Sequence, residues 1–152
     1  MNPNFKINVL YVDDEIQNLT SFKATFRRYC NVLTALNTLE AKEYLKSQEI
    51  HVLITDQCMP ETIGTEFLAD AVKEHPEQTR ILLTGYPDFD ILNEAINKGL
   101  IFRYFCKPWK EELLLNAIED GFSLFQLKTI ERDLMSQLQE INHELKKLLL
   151  AT

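Results

Sequence analysis

The sequence predicts an α/β fold in which helices cover both faces of a five-stranded parallel sheet. Two observations favour this fold. Short apolar runs alternate five times with amphipathic stretches along the 152 residues, and four of these five runs end at a polar or charged residue of functional type. Parallel strands need helical crossovers, so a repeated strand–helix order indicates a doubly wound parallel sheet. Such a sheet carries its working residues at the carboxyl ends of its strands.

Each strand is predicted from an apolar run, and the five runs are residues 7–12, 32–36, 51–55, 80–84 and 101–106. A helix is predicted after each strand, because apolar residues recur there at helical spacing. These residues are, in chain order, Ile16, Leu19, Phe22 and Phe26; Ala41, Tyr44 and Leu45; Phe67, Leu68, Ala71 and Val72; and Ile91, Leu92, Ala95 and Ile96. The fourth helix is expected to end near Gly99, and the last to begin near Glu111.

Composition excludes several classes of protein. A formal net charge of −7 argues against direct nucleic-acid binding, which normally needs a basic surface. No apolar stretch approaches the roughly 18 residues of a membrane span, and residues 1–6 are too polar for a signal peptide. The three cysteines, Cys30, Cys58 and Cys106, form no CxxC pair, which predicts reduced thiols. A cytoplasmic protein is expected.

Polar or charged side chains of functional type stand at the carboxyl ends of four predicted strands. They are Asp13 and Asp14, Asp56, Thr84, and Lys107. A lone acid after a strand often only caps the next helix. Three acids that converge at one sheet edge would repel one another unless a hard cation such as Mg²⁺ lay among them. A lysine from another strand end would add positive charge where a phosphoryl group could lie.

These residues stand in four sequence blocks that resemble the signatures of response-regulator receiver domains. The blocks are Val12-Asp13-Asp14-Glu15, Asp56-Gln57-Cys58-Met59-Pro60 with Gly64 after it, Leu83-Thr84-Gly85-Tyr86, and Cys106-Lys107-Pro108-Trp109. The resemblance covers a receiver domain over residues 5–122. It implies a flavodoxin-like (βα)5 sheet with strand order 2-1-3-4-5, the order for which receiver domains are themselves a known example.

The resemblance also assigns a nucleophile and a metal site. Asp56 would accept a phosphoryl group from a histidine kinase or a phosphotransfer protein. Asp14 would bind Mg²⁺ directly, with Asp13 acting mainly through water. The backbone carbonyl of Cys58 would complete the protein ligands together with Asp56. Such a domain would not be an enzyme beyond its own phosphorylation and dephosphorylation.

Further roles carried by the resemblance concern the switch. Lys107 would pair with Asp56 and later with its phosphoryl group, and the Lys107–Pro108 peptide would be cis. Thr84 would move towards the phosphoryl group, and Tyr104 would fill the vacated space. The fourth helix, fifth strand and fifth helix would then form the output surface. Trp109 would either pack on the last helix or help a partner dock.

A C-terminal extension over residues 123–152 carries a second pattern. Its apolar residues are spaced 3, 4, 4, 3, 4 and 3, and they are Leu127, Ile130, Leu134, Leu138, Ile141, Leu145 and Leu148. The last five fit a heptad seam, and the double four is a stutter. We expect a long helix that forms a homodimeric coiled coil, with Gly121 as a hinge. The alternative is an amphipathic helix that folds back or frays.

Two other functions compete with a phosphoacceptor module. A haloacid-dehalogenase-like phosphatase would also form an aspartyl phosphate, but its nucleophile would belong to an Asp-x-Asp run after the first strand. A scaffold that needs no phosphorylation would not require the full set of acids, threonine and lysine. The Leu-Thr-Gly-Tyr and Lys-Pro-Trp runs resemble those of receivers that precede cyclic-di-nucleotide phosphodiesterase or transcription-activating outputs. No output domain is expected after Leu150 in this sequence, which leaves two possibilities. The chain is a single-domain regulator, or its output domain is missing.

Overall fold

The computed structural model describes residues 5–151; residues 1–4, part of the polar N-terminal segment, and residue 152 lie outside the described range. The strands are β1 (Ile7–Val12), β2 (Cys30–Ala35), β3 (Val52–Asp56), β4 (Thr79–Thr84) and β5 (Arg103–Cys106). The helices are α1 (Ile16–Phe26), α2 (Thr38–Ser47), α3 (Gly64–Glu74), α4 (Phe89–Asn97) and α5 (Glu111–Ala151).

All five strands form one parallel sheet of order β2-β1-β3-β4-β5, which confirms the predicted fold. The strand order reverses between β1 and β3, and ligands of open α/β sheets bind at such a reversal. β3 extends one residue further than expected, because Asp56 pairs with Leu83 of β4. β5 is shorter than the predicted run. It begins at Arg103, while Ile101 is buried ahead of the strand.

The sheet separates two apolar cores. Side chains alternate between the faces along each strand, so Val9 and Tyr11 of β1 pack on the side of α1 and α5. Leu10 and Val12 pack on the side of α2, α3 and α4. β1, β3 and β4 are buried almost throughout, as expected for central parallel strands covered on both faces.

Trp109 belongs to the core beneath α1. Its ring centroid lies 5.4 Å from that of Phe26 and 6.0 Å from that of Phe22. The same core includes Leu114, Ala117 and Ile118 of α5, the helix on which Trp109 was expected to pack. The contact anchors the segment between β5 and α5 against α1.

The helix α5 is 41 residues long and runs without a break. Its first part packs on the sheet through Leu114, Ala117, Ile118 and Gly121, and every described residue from 131 onward is exposed. Gly121 is therefore not a hinge: the helix continues through it, and a Cβ atom there would lie 2.8 Å from Cγ2 of Thr79. The residue permits close packing of α5 on β4. No described helix is long and apolar enough to cross a membrane.

Candidate functional site

Three carboxylates meet at the carboxyl edge of the sheet. Asp13 and Asp14 follow β1, and Asp56 ends β3, which is the neighbour of β1. One oxygen from each of the three lies within 4.8 Å of the others. Asp13 and Asp56 are buried, whereas Asp14 is exposed. The parallel pairing of β1 with β3 creates this cluster, since it brings both strand ends to one place.

Lys107 supplies the opposite charge. It follows β5, and its Nζ lies 3.0 Å from Oδ1 of Asp56 and 3.1 Å from Oδ2 of Asp13. Its backbone N–H donates to the carbonyl of Thr84 at 2.8 Å, which fixes the point where the lysine leaves the sheet. The Lys107–Pro108 peptide bond is cis. One ammonium group thus contacts two of the three carboxylates.

Asp13 is held by several further donors. The Tyr11 hydroxyl donates to Oδ2 at 2.6 Å, and Nδ2 of Asn18 donates to the same oxygen at 3.0 Å. The backbone N–H of Glu15 donates to Oδ1 at 2.9 Å. The sequence reasoning did not single out Tyr11 or Asn18. A signal for Tyr11 exists, because residues two apart on a strand share a face.

These contacts separate the two buried carboxylates. Burial opposes ionisation of Asp13, yet hydrogen bonds from Tyr11, Glu15 and Lys107 outweigh it and lower the Asp13 pKa. Burial raises the Asp56 pKa, and its contact with Lys107 offsets this only in part while Asp13 and Asp14 add to it. The pKa of Asp56 therefore lies above that of Asp13.

The pKa values of Lys107 and Tyr11 are also shifted, by burial and by the neighbouring carboxylates. Burial alone would lower the Lys107 pKa, but its bonds to Asp56 and Asp13 raise it, so the lysine stays charged. Burial and the bond to Asp13 raise the pKa of Tyr11, so its hydroxyl remains a donor. At neutral pH the pocket thus holds a protonated lysine and a protonated tyrosine beside its carboxylates.

Thr84 and Tyr104 lie on one face of neighbouring strands. Leu82 pairs with Tyr104 and Thr84 pairs with Cys106, so these four side chains point to the same side of the sheet. Thr84 is buried, and its Oγ1 accepts from the backbone N–H of Tyr86 at 3.2 Å. Tyr104 is half-buried, and its ring lies 6.4 Å from the ring of Phe89 at the start of α4.

The turn after β3 brings the chain back against Asp56. Cys58 is exposed and forms an isolated bridge with Ile63. The N–H of Gly64 donates to the carbonyl of Gln57 at 2.9 Å. A Cβ atom at Gly64 would lie 2.5 Å from the backbone oxygen of Asp56, so only glycine fits this approach. Gly64 was noted in the sequence only as part of a signature, and the structure gives it a positioning role.

The donor set fits a magnesium ion. Three carboxylates share the site with one lysine, so the pocket has an excess of negative charge that a divalent cation would neutralise. Mg²⁺ prefers hard oxygen ligands and is commonly held by one or two carboxylates. Asp14, exposed and outside the Lys107 contacts, is the carboxylate most open to solvent and to an entering ion.

Comparison with known proteins identifies the family. Residues 9–119 match the family model described as the response regulator receiver domain. The chain belongs to this family. Receiver domains are typically non-enzymatic signalling modules of two-component systems, and each implies a cognate histidine kinase.

Similar proteins include longer regulators. The hydrogenase transcriptional regulatory protein HoxA of Cupriavidus necator is 34% identical over 113 residues, which are 74% of this chain and 23% of that protein. HoxA of Bradyrhizobium diazoefficiens is 27% identical over 120 residues, 79% of this chain and 25% of that protein. The chain thus spans about a quarter of the length of these curated relatives.

Among solved structures, an adenylate cyclase from Rhodopirellula baltica has a TM-score of 0.82 at 28% identity, with coverage of 87% of this chain and 98% of that chain. The signal receiver domain of an HD domain-containing protein from Pseudomonas fluorescens Pf-5 has a TM-score of 0.74 at 31% identity, with coverages of 80% and 98%. Each of these two likenesses covers at least 80% of this chain.

Proposed function

We propose that this receiver domain is a phosphoacceptor that takes a phosphoryl group onto Asp56 from a histidine kinase or a phosphotransfer protein. The observation that carries the proposal is the contact between Asp56 and Lys107 inside a cluster of three carboxylates. A carboxylate oxygen of Asp56 attacks phosphorus in the donor's phosphohistidine. The P–N bond breaks, its electron pair stays on the imidazole, and an acyl phosphate forms on Asp56.

The residues around Asp56 would hold Mg²⁺ and the phosphoryl group. Asp14 and Asp56, with the backbone carbonyl of Cys58, would bind the ion directly, and Asp13 would act mainly through water. The ion would supply positive charge to the transferring phosphoryl oxygens. Lys107 would pair with the phosphoryl group after transfer, since its Nζ already lies 3.0 Å from Oδ1 of Asp56.

A switch would follow from the position of Thr84. Its hydroxyl now accepts from the Tyr86 N–H, and it can instead donate to a phosphoryl oxygen. Tyr104 shares the face of Thr84 one strand away and is half-buried, so it can move into space that Thr84 leaves. The face of α4, β5 and α5 would transmit this population shift to an output.

The competing functions fit the site less well. A haloacid-dehalogenase-like phosphatase would need its nucleophile in an Asp-x-Asp run after β1, whereas Asp13 and Asp14 are adjacent and Asp56 ends β3. A phosphorylation-independent scaffold would not require a lysine that contacts two buried carboxylates.

We propose that catalysis is limited to phosphorylation and dephosphorylation of the domain itself. We also propose that the protein works in the cytoplasm.

A second part of the proposal concerns the exposed end of α5. Seven apolar side chains, which we call the tail stripe, are each between 52% and 65% exposed. They are Leu127, Ile130, Leu134, Leu138, Ile141, Leu145 and Leu148. Because the rest of the described receiver does not cover them, a second copy of the helix is their simplest partner. We propose a homodimer through the tail stripe, with or without an output domain of the kind that the longer relatives carry.

The test is phosphorylation with a small phosphodonor and Mg²⁺, comparing the native chain with Asp56→Asn. The native chain should gain one phosphoryl mass that is lost on mild base treatment, and Asp56→Asn should gain none. Beryllofluoride should change the tryptophan fluorescence of the native chain, because Trp109 follows Lys107 by two residues. If the native chain gains no phosphoryl mass from either a small donor or a phosphorylated kinase domain, the proposal is wrong.

A further inference from the structure

The tail stripe has a direction. Its residues are spaced 3, 4, 4, 3, 4 and 3 from Leu127 to Leu148, and this series reads differently in reverse. We infer that two copies of α5 pair in parallel and in register, so that both receivers lie at the same end of a two-stranded coil. The inference rests on the homodimer proposed above, and it specifies how the second copy is placed.

Parallel pairing matches the whole stripe. Each of the seven apolar residues then faces its own counterpart, because identical spacings superimpose without an offset. The 3, 4, 4 interval from Leu127 to Leu138 is an 11-residue repeat, which locally unwinds the left-handed supercoil set by the heptads that follow. Both helices unwind at the same level only when they run in parallel and in register.

Antiparallel pairing over the same length places a polar residue opposite an apolar one at two symmetric positions. If Leu127 lies opposite Leu148 of the partner subunit, then Leu138 lies opposite Gln137 of the partner subunit, and the symmetric contact repeats the fault. Two polar amides would enter the seam at its centre, where burial without a hydrogen-bond partner is costly. The parallel arrangement keeps Gln137 at the edge of the seam, next to water.

A shorter antiparallel overlap also fits less well. Residues from Leu138 to Leu148 have spacings of 3, 4 and 3, which are the same in both directions. Pairing through them alone would leave Leu127, Ile130 and Leu134 exposed. It would also bring Glu144 close to Glu144 of the partner subunit near the two-fold axis, and like charges at such flanking positions are unfavourable.

Parallel pairing connects the seam to the receiver's switch strand. Residues seven apart lie on nearly the same face of a helix, so Asp120 lies two turns before Leu127 on the face that carries the tail stripe. Asp120 pairs with Arg103 of β5 at 3.0 Å, and Arg103 precedes Tyr104. The two copies of this ion pair would therefore lie at the base of the coil, on facing sides. Movement of Tyr104 in one receiver would then reach the other receiver near the seam.

Single-cysteine crosslinking tests the orientation. The background carries Cys58→Ser and Cys106→Ser and keeps the buried Cys30. Leu134→Cys should shift most of the chain to a band of doubled mass under mild oxidation, because parallel register brings the two sulfurs together. In the full antiparallel overlap the two positions would be about 10 Å apart along the axis, at 1.5 Å per residue, which is too far for a disulfide. Ser136→Cys, on the opposite face of the same turn, is the control and should stay monomeric on the gel.

The dimer and the orientation of its helices are tested by different measurements. Light scattering on the uncrosslinked chain, with and without beryllofluoride and Mg²⁺, should give the mass of two chains in at least one state. Dimers that crosslink in a mixture of Leu134→Cys and Ile141→Cys chains, but not through Leu134→Cys alone, would overturn the orientation and leave the homodimer intact. A single-chain mass in both states would overturn both claims, while phosphorylation of Asp56 is scored independently by mass. Equal crosslinking of Ser136→Cys and Leu134→Cys would overturn the register.

Discussion

At the residue scale, the site contains two buried carboxylates, Asp13 and Asp56, whose pKa values are shifted in opposite directions. Burial opposes ionisation of Asp13, but hydrogen bonds from Tyr11, the Glu15 N–H and Lys107 outweigh it and lower the Asp13 pKa. Asp56 has Lys107 as its charged contact, and burial raises its pKa. Both carboxylates contact Lys107, so the additional donors to Asp13 account for the difference in pKa.

Gly64→Ala should damage the site without touching a charged group. The new Cβ would lie 2.5 Å from the backbone oxygen of Asp56, so the turn or the end of β3 must shift. We expect a loss of about 1–3 kcal/mol in the free energy of unfolding, as for overpacking generally, together with slower phosphorylation. Urea unfolding and the rate of mass gain measure the two effects.

Gly85→Ala is the matched control, because a Cβ there meets nothing within 4 Å. Its unfolding free energy should change little or rise slightly, since alanine restricts the unfolded chain. Equal losses for Gly64→Ala and Gly85→Ala would show that the close approach to Asp56 is not what glycine provides.

The three thiols should divide by burial. Burial raises the pKa of Cys30 to about 11, whereas Cys58 and Cys106 are exposed. The raised pKa means that the neutral thiol is favoured in the fold; this stabilisation is present below the unfolded pKa near 8.5 and is lost as the pH rises through about 11. At about pH 8 a chromogenic disulfide reagent should label Cys58 and Cys106 promptly and Cys30 only after denaturation.

The variant with Cys58→Ser and Cys106→Ser provides the control for labelling. It should show no fast reaction in the native state and one thiol in denaturant. Fast labelling of this variant without denaturant would mean that Cys30 opens to solvent readily.

At the element scale, α5 serves two purposes along one uninterrupted helix. Its first turns complete the receiver through Leu114, Ala117 and Ile118, and its exposed end carries the tail stripe. Gly121 lies between them, and Oγ1 of Thr79 donates a hydrogen bond to the Gly121 carbonyl. Further along α5, Arg132 forms an ion pair of 2.9 Å with Glu77 in the loop before β4.

Gly121→Ala should destabilise the receiver, although alanine in a helix interior is normally favoured over glycine by about 0.5–1 kcal/mol. The new Cβ would lie 2.8 Å from Cγ2 of Thr79, and the hydroxyl of Thr79 is already committed to Gly121. We expect a net loss of about 1–2 kcal/mol from overpacking. Thermal and urea unfolding measure it.

A double-mutant cycle checks the cause. Thr79→Ser removes the clashing methyl and keeps the hydroxyl, so the pair Gly121→Ala with Thr79→Ser should recover most of the loss. Additive losses in the double variant would locate the strain elsewhere than at Thr79.

At the scale of the whole molecule, the sheet joins a site built from three strand ends to a surface at its edge. β1 and β3 supply the carboxylates, and β5 supplies both Lys107 and Tyr104. A change at Asp56 therefore reaches β5 through a direct contact. Stability of the receiver should respond to whatever binds among the carboxylates, because ligands that bind only the folded state stabilise it.

Mg²⁺ should raise the unfolding free energy of the native chain. At a concentration about tenfold above the dissociation constant, linkage gives about 1.4 kcal/mol. Asp14→Asn should lose most of this gain, because one of the three clustered carboxylates is removed. Denaturant titrations with Mg²⁺ and with a matched sodium salt isolate the effect.

Glu15→Gln is the control for charge. It removes one exposed negative charge next to Asp14 without altering the cluster of three. Its gain from Mg²⁺ should equal that of the native chain. The same loss in both variants would indicate screening of surface charge rather than an ion bound among the carboxylates.

The sequence by itself determined the features that depend on residues close together in the chain. Apolar runs and helical spacing predicted all five strands and five helices, with errors of one or two residues at strand ends such as Ile101. Local periodicity also predicted that the acids and the lysine lie at strand ends, and it predicted the tail stripe. Strands and helices repeat over two to four residues, so such patterns are visible in the sequence.

Only the tertiary structure decided which side chains from different elements contact one another. Lys107 contacts Asp13 across 94 residues of chain, Trp109 packs on Phe26, and Gly121 meets Thr79. None of these follows from local spacing, because each depends on how closely two elements approach after packing. The Tyr11 hydroxyl is the clearest case: its place on β1 was readable, but its hydrogen bond with Asp13, and so the contrast between Asp13 and Asp56, exists only in the folded pocket.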